Sequence, residues 1–199
     1  MMITLYHSPQ SRSGSIVWLL EELEVPYQTR NAGFRKADGS GARDASNPHP
    51  HGKVPALTDD GETVFESSAI ALYLTDKYRN KKLGPAVGEP TRGEYLTWLA
   101  YRPGVMEPAI LSRRFEIKHV FGAMGWAPAD EVEEVLNKHL ASREYFLGDT
   151  FSAVDILLGG GLRFLMPAKM VKETPVLKAY SARICDRPAF RKMMEIDQR

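Results

Sequence analysis

The sequence predicts an α/β region followed by an all-helical region. Residues 1–80 mix strand-like runs with a helical spacing of apolar residues, whereas residues 87–199 show helical spacing alone. Between them lies a stretch rich in helix breakers, with Gly84, Pro85, Gly88 and Pro90. These observations predict two domains, one over residues 1–80 and one over residues 87–199.

The first elements alternate between strand and helix. The run Ile3-Thr4-Leu5-Tyr6 is typical of a strand and ends at Ser8-Pro9. The serines that follow supply N-cap oxygens for a helix whose apolar positions keep a helical period, namely Ile16, Leu19, Leu20 and Leu23. A second strand is predicted at 27–30, and the Gly, Pro, Asp, Asn and Ser content of 33–53 predicts a long irregular loop.

A hairpin and a helix complete the first region. Residues 54–58 and 63–65 are strand-like, and Asp59-Asp60-Gly61 between them is typical of a hairpin turn. Glu66-Ser67-Ser68 then predicts the start of a helix that runs through Ile70 and Leu74. The predicted order is β-α-β, long loop, β-β-α.

The rest of the chain carries helical patterns interrupted by prolines. Apolar residues recur at helical spacing in several segments between Tyr95 and Ile184. Two pairs have the spacing of a capping box, Thr91 with Glu94 and Ser152 with Asp155, and each predicts a helix start.

Composition and charge limit the partners. The 199 residues carry 26 Lys and Arg against 25 Asp and Glu, a net charge of +1, which argues against nucleic acid and membrane partners. No apolar run is long enough to span a bilayer, and residues 1–15 lack a secretion signal, so we expect a cytoplasmic protein. The single cysteine, Cys185, excludes a disulfide framework, and His49 with His51 has no third metal ligand nearby, so no metal site is predicted.

Four segments carry a family resemblance, in an order that spans most of the chain. They are Leu5–Pro9 with Trp18–Leu23, Asn47-Pro48 with Gly52–Leu57, Phe65–Ile70 with Tyr73-Leu74, and Phe146–Ile156 with Arg187–Phe190. Together they resemble the cytosolic glutathione S-transferase superfamily of the bacterial type. The resemblance implies a thioredoxin-like first domain that binds glutathione, followed by an all-helical domain that contributes the electrophile site.

The resemblance also implies how glutathione is held. Pro55 follows a cis peptide bond in the family, so that the backbone of Val54 pairs with the cysteinyl part of glutathione as a short strand would. Glu66 and Ser67 stand at a helix N-terminus, which favours the γ-glutamyl carboxylate on Ser67, with Glu66 facing the ammonium group. His51 and Lys53, in the preceding loop, are expected near the glycine carboxylate.

Three hydroxyl groups are candidates for the group that activates the thiol. A thiol with a pKa near ~8.5 is only about 3% ionised at pH 7, and one or two hydrogen bonds to sulfur are sufficient to make it mostly thiolate. Ser11 ranks first, then Tyr6 at the end of the strand, then Ser13. Arg12 occupies the position of the cysteine of one bacterial class; residues 1–80 contain no cysteine, which argues against mixed-disulfide chemistry.

The predicted function is therefore a glutathione S-transferase that directs the thiolate of glutathione at a small hydrophobic electrophile. Glutathione is a co-substrate, no further cofactor is predicted, and a homodimer is expected from the resemblance. The candidate electrophile pocket comprises Trp98, Tyr101, Met106 and Phe115. The alternatives are a glutathione-dependent isomerase, dehalogenase or peroxidase on the same fold, and a non-catalytic binding module.

Overall fold

The computed structural model describes residues 2–35 and 38–198 and divides the chain into two compact units. The first unit comprises residues 1–81 together with 187–199, and the second comprises residues 82–186. The first is a mixed α/β unit and the second is helical, so the predicted fold class, a thioredoxin-like domain followed by an all-helical domain, is confirmed.

The first unit is built on a four-stranded sheet. Its strands are β1 (Ile3–His7), β2 (Tyr27–Asn31), β3 (Ala56–Asp59) and β4 (Glu62–Phe65), in the order β2-β1-β3-β4. β1 is parallel to β2 and antiparallel to β3, and β3 is antiparallel to β4. β3 begins after Val54-Pro55, two residues later than predicted, because proline has no N–H to offer to a strand ladder.

Two helices of this unit follow the sheet strands in sequence. α1 (Gly14–Leu23) buries an apolar stripe that includes Ile16, Leu19, Leu20 and Leu23, and α2 (Ser67–Lys77) buries Ile70 and Leu74. The helical spacing of these residues is what predicted both helices. Leu5 and Leu57, opposite one another in β1 and β3, are also fully buried.

The last helix belongs with the first unit. The sequence predicts that this helix belongs to the domain over residues 87–199. In the structure, α8 (Pro188–Ile196) packs on α1 instead. The ring of Phe190 meets that of Trp18 with 4.9 Å between their centroids, and Arg187 donates to both carboxylate oxygens of Glu22 at 2.6 and 2.8 Å. These partners are far apart in sequence, so local patterns gave no sign of the contact.

The second unit is helical throughout its regular structure. Its α-helices are α3 (Arg92–Tyr101), α4 (Glu107–Arg114), α5 (Ala129–Leu140), α6 (Gly160–Leu165) and α7 (Pro175–Cys185). Wider π-helical turns at Arg102–Met106 and Asp155–Gly159 lead into α4 and α6. Within the described ranges, no helix is both long and apolar enough to cross a membrane.

One of the two predicted capping boxes is present. Asp155 accepts the backbone N–H of Ser152 at 2.9 Å, and Ser152 Oγ accepts the backbone N–H of Val154 at 3.3 Å, which are the two reciprocal bonds of such a motif. Asp155 also accepts from the Tyr180 hydroxyl at 2.7 Å, which joins this turn to α7. The box predicted at Thr91 is wrong: Thr91 adopts a positive φ of 64°, and its hydroxyl donates to the Pro90 carbonyl. Glu94 pairs instead with Arg143 at 2.6 Å.

Candidate active site

Strand pairing brings three predicted segments to one edge of the sheet. Tyr6 of β1 lies opposite Ala56 of β3, and Ala56 lies opposite Phe65 of β4. Since β3 is antiparallel to both neighbours, the turn after β1, the residues before β3 and the residues after β4 all meet at this edge. These are the segments that contain Ser11 and Ser13, Val54 and Pro55, and Glu66 and Ser67.

The turn between β1 and α1 is held by serine hydroxyls. Ser11 Oγ lies 2.6 Å from Ser13 Oγ, and Ser11 donates to the Ser8 carbonyl at 2.7 Å. Ser13 Oγ also accepts from the Ser8 N–H at 3.1 Å. Ser13 is fully buried, whereas Ser11 is half-buried, so a ligand at this turn can reach Ser11 but not Ser13.

A buried histidine continues this group of hydroxyls. His7 Nδ1 lies 2.8 Å from Ser13 Oγ, and His7 Nε2 lies 3.6 Å from a carboxylate oxygen of Asp197. Burial lowers the pKa of His7, and the Asp197 carboxylate acts in the opposite direction. His7 is therefore neutral at pH 7 in the unliganded protein. Asp197 also accepts the Gln10 N–H, so the segment that follows α8 closes the turn.

Val54 and Pro55 follow a loop with a polar interior. The Val54–Pro55 peptide bond is cis, as the resemblance implied. The side chain of Asn47 donates to the Lys53 carbonyl at 2.8 Å and accepts the His49 N–H at 3.0 Å. These two bonds close the loop over residues 47–53 and fix the backbone that leads into Val54. His51 and Lys53 point to solvent on this loop.

Glu66 and Ser67 form the N-terminus of α2. Glu66 is exposed and has a positive φ of 70°, a conformation that costs free energy in a non-glycine residue. The buried His49 lies with its Nε2 3.9 Å from the Glu66 carboxylate, and its ring is 5.0 Å from that of Phe65. The Glu66 side chain makes no capping bond to α2, and the first N–H groups of a helix have no partner within the helix.

Two further candidates of the first unit lie in different surroundings. Tyr6 is 8% exposed and packs with Ala32, Ala56 and Val54, on the opposite side of β1 from His7. The Arg30 guanidinium lies 5.8 Å from the centre of its ring. Arg12 is exposed, and its carbonyl accepts from the Ser15 hydroxyl. Tyr6 therefore lies on the other side of β1 from the hydroxyl group around Ser13.

The candidate electrophile residues of the second unit differ in exposure. Trp98 and Met106 are buried, and the Trp98 ring packs against those of Tyr101, His139 and Phe146. Tyr101 is half-buried and Phe115 is 67% exposed. Tyr101 and Phe115 therefore offer more surface to a ligand than the other two do.

Sequence reasoning missed four polar side chains of this region, namely His7, Asn47, His49 as a partner of Glu66, and Asp197. The alternation of β1 places His7 on the same side as Leu5, and an inward-facing histidine was the available signal. No signal in the sequence pointed to Asp197, since its contacts are to residues near the other end of the chain. In the ranges 2–35 and 38–198, no group of three or more His, Cys, Asp or Glu side chains is arranged to hold a metal ion.

Comparisons with known proteins identify the family of this chain. Residues 1–76 match the family model of the glutathione S-transferase N-terminal domain, and residues 129–188 match that of the C-terminal domain. Glutathione S-transferase 3 of Schizosaccharomyces pombe is 30% identical, over 96% of this chain and 86% of the relative. A sphingomonad glutathione S-transferase solved with glutathione is 29% identical, with a TM-score of 0.78 and 98% of both chains covered. The beta-class enzyme of Sphingomonas chungbukensis is 27% identical, with a TM-score of 0.77 and 98% of both chains covered.

The chain therefore belongs to the glutathione S-transferase superfamily. It is a transferase, and glutathione is its co-substrate.

Proposed function

We propose that Ser11 activates glutathione in this transferase and that the thiolate attacks a small hydrophobic electrophile. The observation that carries the proposal is the difference in exposure among the three candidate hydroxyls. Ser11 is half-buried at the sheet edge, whereas Ser13 is fully buried and Tyr6 packs among Ala32 and Ala56. A sulfur atom can thus come within hydrogen-bond distance of Ser11 with no rearrangement of the turn.

The peptide backbone of glutathione would lie along the same edge. The Val54 backbone would pair with the cysteinyl part, and the N–H groups at the start of α2 would receive the γ-glutamyl carboxylate near Ser67. Glu66 would face the γ-glutamyl ammonium group, with His51 and Lys53 near the glycine carboxylate. Arg12, exposed in the turn, adds a positive charge close to the anionic ligand.

Thiolate formation needs only a modest fall in the pKa of the glutathione thiol. Lowering its pKa by roughly two units corresponds to about 2.7 kcal/mol. A hydrogen bond to a charged group contributes about 1.5–3 kcal/mol, so the Ser11 hydroxyl beside the N-terminus of α1 is sufficient in magnitude. Proximity to a bound electrophile then adds to the rate.

The electrophile would contact Tyr101 and Phe115 of the second unit, which are more exposed than the buried Trp98 and Met106. Product analysis with electrophiles, peroxides and isomerisable substrates distinguishes conjugation from the other glutathione-dependent reactions. The homodimer and the cytoplasmic location remain predictions from the sequence.

The test is a pH titration of the bound glutathione thiol, followed by thiolate absorbance. We expect a pKa about two units below the free value of ~8.5 in the wild type, and a return towards that value in Ser11→Ala. Tyr6→Phe should leave the pKa unchanged. So should Ser15→Ala, a matched control, since the Ser15 hydroxyl is bound to the Arg12 carbonyl in the same turn. A raised pKa in Tyr6→Phe together with a normal one in Ser11→Ala would reverse the assignment.

A further inference from the structure

Four side chains form a continuous polar path that ends at Ser11. Asp197 stands 3.6 Å from His7 Nε2, His7 Nδ1 stands 2.8 Å from Ser13 Oγ, and Ser13 Oγ stands 2.6 Å from Ser11 Oγ. Three of the four groups are almost completely buried, and Ser11 alone is open to a ligand. Such a path can carry a proton, because each member can both donate and accept or can change its charge.

The positions of the hydrogens follow from the surroundings of His7. Its Nε2 atom is buried with no hydrogen-bond partner in the part of the chain that the structure describes, and its nearest polar neighbour is a carboxylate. A lone pair facing a carboxylate is repelled, so the Nε2 atom carries the proton and the Nδ1 atom of the neutral ring accepts from Ser13. The Ser11 hydroxyl has two acceptors within reach, the Ser8 carbonyl oxygen at 2.7 Å and Ser13 Oγ at 2.6 Å, and a hydroxyl can rotate from one to the other. The path to His7 is complete when the Ser11 proton turns from the Ser8 carbonyl to Ser13 Oγ.

We propose that His7 takes up the proton of the glutathione thiol through Ser11 and Ser13, and that Asp197 stabilises the resulting imidazolium. The inference rests on the proposed function, in which Ser11 meets the sulfur.

The proton transfer balances at every atom. The thiol gives its proton to Ser11 Oγ, the Ser11 proton passes to Ser13 Oγ, and the Ser13 proton passes to His7 Nδ1. Both serines end neutral, the sulfur is an anion and the imidazole is a cation. Every hydrogen bond in the path is then reversed, so that Ser11 donates to the thiolate it has helped to form. After the thiolate has reacted, the imidazolium returns its proton to water.

The charges around His7 suit this role. Asp197 is the carboxylate beside its Nε2 atom, and it raises the pKa of the ring while burial lowers it by more. The other charged groups that line the cavity next to His7 are Glu21 and Lys192, which pair with each other. A thiolate at Ser11 would add a second negative charge near the imidazolium, so the ring holds a proton when the ligand is bound and not before.

The backbone leaves room for this arrangement at Gly14. A Cβ atom at that position would stand 3.1 Å from an Asp197 carboxylate oxygen. The first residue of α1 thus permits the close approach of the carboxylate to the turn. His7, Ser13 and Asp197 are positioning residues, since none of them touches the substrate.

The decisive measurement is the number of protons released when glutathione binds. Calorimetric titration of the wild type near pH ~7, in two buffers of different ionisation enthalpy, gives this number, and thiolate absorbance gives the fraction ionised. Free glutathione is only about 3% ionised at this pH. We expect thiolate to form with far less than one proton released per thiolate, because His7 retains it. Release of one proton per thiolate would overturn the proposal without any variant.

Variants of His7 and Asp197 test whether these residues act in proton transfer or only support the structure of the turn. In His7→Asn the amide can still bond to Ser13 but cannot take up a proton, and we expect about tenfold less thiolate at pH 7. Each thiolate that still forms in this variant should then release one proton to the solvent. Asp197→Asn keeps an acceptor for the Gln10 N–H but removes the charge, so it should shift the thiol pKa in the same direction by a smaller amount. Ser15→Ala is the matched control and should match the wild type.

The two proposals fail in different ways. Glutathione bound to the wild type without thiolate formation would contradict the activation by Ser11. A lowered thiol pKa in the wild type that both His7→Asn and Asp197→Asn preserve would leave that activation intact and overturn the path through His7. Thermal unfolding of each variant confirms that it is folded before titration.

Discussion

The three serines around the start of α1, at positions 11, 13 and 15, have different partners. Ser15 binds only the Arg12 carbonyl among the contacts described, Ser13 is enclosed by Ser8 and His7, and Ser11 alone combines burial on one side with access on the other. In the proposed mechanism, three chemically identical hydroxyls thus serve as a turn support, an internal relay and a substrate contact. The sequence could predict that serines occupy this turn, but their order of burial depends on the path of the backbone.

Glu66 provides a test at the same scale. Its carboxylate is exposed at the start of α2 and is expected to face the γ-glutamyl ammonium group of glutathione. Glu66→Gln keeps the shape and removes the charge, which should cost about 1.5 kcal/mol in binding and raise KM for glutathione roughly tenfold with kcat little changed. Steady-state kinetics with varied glutathione measures both constants.

Glu62→Gln, in which an exposed carboxylate is neutralised at the other end of β4, is the matched control. An equal rise in KM for both variants would mean that general electrostatic attraction, and not a contact at Glu66, is responsible.

At the scale of elements, α8 is attached to α1 by a partly buried ion pair. Arg187 donates twice to Glu22, whose side chain is 9% exposed, and Glu22 also accepts from the Trp18 indole at 3.0 Å. Arg187→Ala leaves a mostly buried carboxylate with one partner fewer, so we expect the free energy of unfolding to fall by about 3 kcal/mol. Urea denaturation measures the change.

An exposed ion pair supplies the comparison. Lys178 and Glu173 are 69% and 54% exposed, and Lys178→Ala should change stability by less than about 1 kcal/mol. Comparable losses of stability in the two variants would show that burial does not explain the contribution of the Arg187–Glu22 pair.

The elements also show how far the sequence alone could predict this structure. Helical and strand periods predicted α1, α2, the hairpin and the boundary near residue 81, because these depend on local spacing. The predicted box at Thr91 failed because its backbone takes a positive φ, which threonine rarely adopts. The placement of α8, and with it Asp197, depends on side chains at opposite ends of the chain. No local pattern contains that information, and Asp197 was therefore missed, whereas His7 could have been found from the alternation of β1.

For the whole molecule, two buried histidines connect stability with pH. Burial lowers the pKa of His7 and of His49 below the ordinary value of 6.5. The unfolded chain then binds protons more readily than the folded one, so their contribution to stability is fully present above pH ~6.5 and is lost as the pH falls below it. We expect the free energy of unfolding to fall between pH ~7.5 and ~5.

The double variant His7→Asn, His49→Asn should show a flatter dependence over this range, because asparagine does not titrate. Most carboxylates titrate below about pH 5, so the comparison isolates the two histidines. Urea denaturation at the two ends of the pH range measures the free energy of unfolding. If the double variant loses as much stability between them as the wild type does, the assignment to the two histidines is wrong.

The position of Asp197 has a consequence for biosynthesis. Residues 6–13 leave the ribosome early, and the carboxylate that completes their surroundings is added only after the whole of the second unit has been translated. A growing chain can form the sheet and α1 well before then, but its His7 has no counter-charge. On the proposed path through His7, full activation of glutathione becomes available only when α8 has docked on α1, so incompletely translated chains would activate the thiol less.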